Sequence, residues 1–155
     1  MNRQRLSPNH SSRRGAKIRW IILHADASPS EEATLGWICS PQSAVSYHLL
    51  VHRDGTVTRC VPDDRTAWAC GVSQWQGVQG LNRHSLSLAF ANRHDGKERL
   101  SDAQIDAMMR LVQSCKALHP TVEDVLTHAM IAPNRKTDPD YIPNFFWHDY
   151  TEPTK

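Results

Sequence analysis

The run SDAQIDAMMRLVQSCKALHP, residues 101–120, leaves the chain few ways to fold. Ser101 and Gln104 stand at capping-box spacing, where each side chain answers a backbone N–H that the first helical turn leaves unpaired. Leu100 and Ile105 can staple across that box. Ile105, Met108, Met109, Val112 and Cys115 then recur along one helical face until Pro120 stops the run. A helix with one wide apolar face must cover apolar surface, and the rest of the chain offers strands.

KIRWIIL, residues 17–23, is a short apolar and β-branched run that suits a buried strand stopping at His24. Ser30 followed by Glu31 and Glu32 predicts the capped start of a short helix reaching Trp37, Ile38 and Cys39 before Pro41. In VSYHLLVHRDGTVTRCV, residues 45–61, two strand-like runs flank Asp54-Gly55, a dipeptide that tolerates the positive φ of a tight turn, so a β-hairpin is expected. SLSLAFA, residues 85–91, alternates Leu86, Leu88 and Phe90 with small residues, and EDVLT, residues 123–127, supplies a last strand ending at His128. This order predicts an α/β fold, a mixed central β-sheet flanked by helices. A chain of 155 residues with 39% hydrophobic content suits one domain, which we bound at 17–150, followed by a tail over 151–155.

Charge is unevenly spread. Arg3, Arg5, Arg13, Arg14, Lys17 and Arg19 precede residue 20 without any acid, whereas the remainder has a net charge of −4. Residues 1–16 contain little to bury and read as a flexible basic arm. An anchor for an anionic polymer or membrane surface is the alternative. No aromatic residue interleaves these charges, so a solvated tail is favoured and no nucleic-acid partner is expected. The basic start is followed only by Ile21-Ile22-Leu23, too short for a signal segment, and no run approaches a membrane span. Synthesis and retention in the cytoplasm are therefore expected, as a monomer. Cys39, Cys60, Cys70 and Cys115 form no C-x-x-C pair and read as reduced, mostly buried thiols.

His24 and His128 each lie at the end of a predicted strand, and sites in open α/β sheets collect beyond the carboxyl ends of strands. Pro133 and Pro139 make THAMIAPNRKTDPD, residues 127–140, a loop, and this loop brings Asp138 ten residues beyond His128. Two imidazoles and one carboxylate leave a fourth tetrahedral position open, as in a catalytic zinc site. With no H-E-x-x-H or paired-cysteine signature, spacing alone leaves hydrogen-bonded structural histidines as the alternative.

IILHADAS, VSYHLLVHRDGTV, AWACGVSQWQG, NRHSLSLAF and LTHAMIAPNRKTDPD resemble, in order and spacing, the successive motifs of the zinc-dependent N-acetylmuramoyl-L-alanine amidases. That family includes short bacteriophage lysis amidases and peptidoglycan recognition proteins. The resemblance runs from about Lys17 to Trp147, and its most specific part is H-x7-K-x-D, formed by His128, Lys136 and Asp138. It implies that His24, His128 and Asp138 bind one Zn2+ and that Lys136 stands beside it. The reaction implied is hydrolysis of the amide between N-acetylmuramic acid and L-alanine in peptidoglycan or a muropeptide. Zinc would polarise the carbonyl and activate water, while Lys136 stabilised the oxyanion. Tyr47 would line the site and Trp68 would give the substrate an apolar wall. His48, on the opposite strand face from Tyr47, is assigned a structural role.

The resemblance has gaps. Ala89 stands where many relatives carry a glutamate base, Ala69 where a histidine is common, and HADAS lacks a second histidine, though Asp26 is placed to hydrogen-bond His24. Short phage amidases also lack that glutamate and use a tyrosine–lysine pair. A phage-type endolysin, reaching the wall after the membrane is breached, is therefore the leading expectation. A cytoplasmic amidase recycling anhydro-muropeptides is the second reading, and a peptidoglycan-binding protein that has lost catalysis is the third.

Overall fold

A computed structural model of the chain describes residues 3–153. Its strands are β1 (Arg3–Gln4), β2 (His10–Ser12), β3 (Trp20–Ala25), β4 (Leu49–Val51), β5 (Val57–Arg59), β6 (Arg65–Ala67), β7 (Gln74–Trp75), β8 (Val78–Gln79), β9 (Ser85–Phe90) and β10 (Asp124–Thr127). The helices are α1 (Glu31–Ile38), α2 (Asp102–Leu118), α3 (His128–Ile131) and α4 (His148–Thr151). Six strands form the main sheet in the order β1-β5-β4-β9-β3-β10. Strands β4, β9, β3 and β10 run parallel, β4 and β5 form the antiparallel hairpin, and β1 joins the far edge parallel to β5. The mixed sheet with helices packed on it is as the sequence predicts.

The two faces of this sheet have different work. Ile21, Leu23, Leu86, Leu88 and Phe90 point toward α2, where Met108, Val112 and Cys115 cover them. The capping box of Ser101 and Gln104 starts α2 as expected. Gln104 is itself buried, and its amide donates to the carbonyl oxygen of Ala91 at 2.9 Å, tying the helix start to the end of β9. Small or polar residues are interspersed on the opposite face, where His24, Ser87 and Ala89 accompany Ile22 and Leu50. That second face carries the site.

Three expectations shift. Strand β3 does not stop at His24 but continues through it to Ala25, because both residues pair in register with Ala89 and Phe90 of β9. The tail expected from residue 151 begins inside the last turn of α4, and residues 154–155 lie outside the described residues. The flexible arm is the larger correction. Residues 1–2 lie outside the described residues, but from Arg3 onward the segment is strapped onto the body. Strand β1 extends the sheet, β2 pairs with β6, and the Asn9 amide donates to the carbonyl oxygens of Ser40 and Val45 at 2.9 and 3.0 Å.

Arg13 shows why composition misleads here. Although charged, it is buried, and its guanidinium donates to the carbonyl oxygens of Asp63, Arg83 and Ser85 at 2.7, 2.8 and 3.0 Å. A polar segment can be ordered without apolar anchors when the fold presents unpaired carbonyls for it to satisfy. Arg13→Ala is expected to lower the unfolding free energy by about 3 kcal/mol, because it strands three carbonyls at once. Urea denaturation measures this, and unchanged stability would return the segment to a solvated arm.

Candidate functional site

The floor of the site is built by two neighbouring strands. His24 lies within β3, and β10 delivers His128 at the first position of α3, where the Thr127 hydroxyl caps the helix by accepting from Met130 N–H. Both imidazoles are buried. The loop after α3 then returns, with Ala129 N–H donating to the Asp138 carbonyl at 3.0 Å. This turn lays the Asp138 carboxylate against the two rings.

The resulting geometry is tight. His24 Nδ1 and His128 Nδ1 are 3.1 Å apart, and Asp138 oxygens lie 3.2 Å from His128 Nδ1 and 3.7 Å from His24 Nδ1. The far ring nitrogens are occupied elsewhere. His128 Nε2 donates to the Cys70 carbonyl at 3.0 Å, and since a carbonyl only accepts, Nδ1 is the nitrogen left to face the centre as a ligand atom. His24 Nε2 is held by the Ser87 hydroxyl at 3.1 Å. Asp138 Oδ2 also accepts from Ala25 N–H at 3.2 Å.

Protonation suits the same reading. Burial, then the adjoining His128, holds His24 well below the ordinary imidazole range, so its ring is neutral at pH 7. Burial pushes the Asp138 carboxyl up, but the adjoining His128 and His24 rings and the Ala25 N–H outweigh it and hold it down at about 2. Two imidazole nitrogens and an ionised carboxylate thus converge on one centre. This donor set fits a divalent cation with nitrogen and oxygen preferences, and zinc in particular.

A cleft of about 600 Å³ opens above this centre, lined among others by Tyr47, Trp68, Ala69, Arg135 and Lys136. Lys136 is half-buried in its wall. Tyr47 packs beside His24, with ring centroids 5.3 Å apart. Burial first, and then the charges of Asp138 and Asp26, push its phenol well above the ordinary range, so it stays protonated. Trp68 has its indole N–H donating to Ser11 at 3.1 Å, which ties the cleft wall to the N-terminal strap.

All six residues singled out from the sequence, His24, Tyr47, Trp68, His128, Lys136 and Asp138, meet at this one cleft. His48 is elsewhere. Ser87 N–H donates to its Nδ1 at 2.9 Å, so Nε2 carries the proton and reaches the Arg65 carbonyl at 2.9 Å. Asp26 does not hold His24 as expected. Its carboxylate accepts from Ser28 and Asn92 N–H groups and from the Thr34 hydroxyl, shaping the loop after β3, and Ser87 takes the role instead. Ala89 pairs directly with His24 in the sheet and packs among Leu35, Ile38, Tyr47 and Leu50, so no carboxylate stands there. The Cys70 carbonyl and Arg135 are additional site elements. A backbone acceptor leaves no trace in side-chain pattern.

His48 also gives a pH prediction. Burial, aided by the Arg13 charge, lowers its imidazole to about 4 against an ordinary 6.5. The fold therefore prefers the neutral ring, so this contribution is complete above pH 6.5 and is lost as pH falls from 6.5 toward 4. The loss amounts to about 3 kcal/mol. Denaturant unfolding of wild type and His48→Asn at pH 7 and pH 4.5 isolates it, and equal pH dependence in both would refute it.

A model of the N-acetylmuramoyl-L-alanine amidase family matches residues 14–141. The 1,6-anhydro-N-acetylmuramyl-L-alanine amidase AmpD of Salmonella typhimurium is 38% identical over 66% of this chain and 54% of its own length, so the chain spans about half of that relative. AmpD of Enterobacter cloacae is 36% identical over 91% of this chain and 83% of its own. Among solved structures, an AmpD derivative superposes with a TM-score of 0.79 at 26% identity, covering 96% of this chain and 92% of that one. Escherichia coli AmiD in complex with anhydro-N-acetylmuramic acid-L-Ala-D-gamma-Glu-L-Lys gives 0.72 at 28% identity, covering 87% and 56%.

Proposed function

Because the chain belongs to the N-acetylmuramoyl-L-alanine amidase family, we propose that it hydrolyses the amide joining the lactyl group of an anhydro-N-acetylmuramic acid to the L-alanine of its stem peptide. The observation that carries this reading is the convergence of two imidazole nitrogens and one carboxylate on the cleft floor, with Lys136 in the cleft wall. His24, His128 and Asp138 would hold the metal. A bound zinc ion supplies a Lewis acid for the carbonyl oxygen and water of lowered pKa at neutral pH.

The remaining work belongs to the chain. Ser87 and the Cys70 carbonyl fix the two rings from behind, so the ligand atoms are aimed before any ion arrives. Lys136 donates to the carbonyl oxygen as negative charge develops on it. Tyr47, held protonated by burial, serves as a hydrogen-bond donor and not as a base. Trp68 excludes water beside the sugar or peptide. A binding protein without catalysis would need neither the ligand set nor the adjacent ammonium, and both are intact here.

The phage-type lysin expected from the tyrosine–lysine pair gives way to small anhydro-muropeptides as substrate. The matched relatives carry that substrate in their names, and AmiD binds it. Among the described residues no helix is long and apolar enough to cross a membrane. The test compares a soluble anhydro-muropeptide with intact sacculi. Release of peptides with new L-alanine N-termini, without new reducing sugar ends, is expected, with kcat/KM at least tenfold higher on the soluble substrate (about 1.4 kcal/mol). Equal or faster cleavage of sacculi would favour the lysin.

A further inference from the structure

Arg135 is an exposed cation tied to the backbone. One of its amino groups, Nη2, donates to the Cys70 carbonyl at 2.7 Å and to the Val72 carbonyl at 2.8 Å, so the turn between them wraps the guanidinium. Gly71 makes that turn possible. Its φ is +59°, and a Cβ there would lie 3.0 Å from the guanidinium. Among the described residues no carboxylate pairs with Arg135, in contrast to Arg19, Arg53 and Arg59, which each face an acid. An arginine fixed by backbone carbonyls, with its other donors unclaimed by any acid, is organised in advance for an external anion.

Its position indicates which anion. Arg135 and Gly71 form the ridge between the cleft and a second cavity of about 610 Å³, whose walls include Val72, Ile131, Ala132 and Pro133. The Cys70 carbonyl that holds Arg135 also accepts from His128 Nε2 at 3.0 Å, so one oxygen joins the guanidinium to the outer edge of the His128 ring, whose Nδ1 faces the candidate metal centre. In the proposed substrate class the second stem residue is glutamate linked through its γ-carboxyl, which leaves its α-carboxylate free. An extended residue spans about 3.3–3.6 Å, so that carboxylate lies within roughly two residues of the cleaved amide.

Resting on the amidase reading, we propose that Arg135 binds the free α-carboxylate of the γ-linked second stem residue and that the peptide beyond it runs into the second cavity. The cleft then grips the lactyl amide and the ridge grips the peptide. Adjacent residues divide the labour: Lys136 faces the reacting carbonyl and Arg135 sets which stem is accepted. The apolar walls past the ridge suit the methylenes of a third residue such as lysine.

The test uses two anhydro-muropeptides that differ only in the second residue, one with the α-carboxylate and one with an α-carboxamide. The wild-type zinc enzyme should favour the acid by about tenfold in kcat/KM, chiefly through KM. In Arg135→Gln that ratio should fall to near one, and Arg135→Lys should restore part of it. Calorimetric titration of the same two ligands onto metal-free protein should give the same preference. No wild-type preference, or a ratio unchanged in Arg135→Gln, overturns the proposal. Failure to cleave either compound would count against the amidase reading alone, since the titration still reads the ridge.

Discussion

Alanine at His128 or at Asp138 should lower kcat/KM for muropeptide cleavage by about a thousandfold or more, several kcal/mol of transition-state stabilisation. The reason lies in how few groups make the centre. Three side chains converge within 4.8 Å, and each removal leaves two, too few to hold a catalytic ion firmly. A second readout separates lost chemistry from lost folding. Zinc at about a thousandfold over its dissociation constant should raise the unfolding free energy of wild type by about 4 kcal/mol, and this increment should vanish in both variants while their metal-free forms still unfold cooperatively. Retention of zinc-dependent stabilisation in either variant would show that its side chain is not a ligand.

Lys136→Ala should act differently: zinc-dependent stabilisation stays, and kcat falls by about a hundredfold to a thousandfold with a smaller change in KM. No glutamate base stands at Ala89, and the Tyr47 phenol is held protonated, so among the described residues lining the cleft Lys136 is the cation left beside the candidate ligands, Arg135 being tied to two carbonyls. Its loss should therefore be felt at the step where charge develops on the carbonyl oxygen. Steady-state kinetics of the zinc-loaded variant checks this. A normal kcat would remove Lys136 from the chemistry.

Much of this architecture is legible in the chain. The capping box and apolar face of α2 announce the helix, and the hydrophobic periodicity of SLSLAF announces β9. The same alternation contains more than a strand: its small residues, Ser85, Ser87 and Ala89, form the face that leaves room for His24, and Ser87 is its hydrogen-bond partner. The strand ends suggested the candidate ligand set and motif likeness singled it out, because His24 and Asp138 are 114 residues apart in the chain and no local spacing relates them. Three things were not legible. Backbone carbonyls carry no residue code, so the Cys70 oxygen that fixes both His128 and Arg135 is invisible in sequence. Asp26 looks like a partner for His24 because residues two apart share a strand face, yet β3 ends at Ala25, and the Asp26 carboxylate closes the loop that follows instead. The N-terminal strap reads as solvated because composition scores burial of apolar groups, whereas Asn9 and Arg13 are held by satisfying carbonyls.

Anomalous diffraction at the zinc edge, from crystals of wild type grown with one equivalent of Zn2+, tests the central claim most directly. The account predicts one dominant peak about 2.0–2.2 Å from an imidazole nitrogen of His24, an imidazole nitrogen of His128 and a carboxylate oxygen of Asp138. A peak held by other residues, or these three side chains unchanged around an empty centre while the ion binds elsewhere, would contradict it.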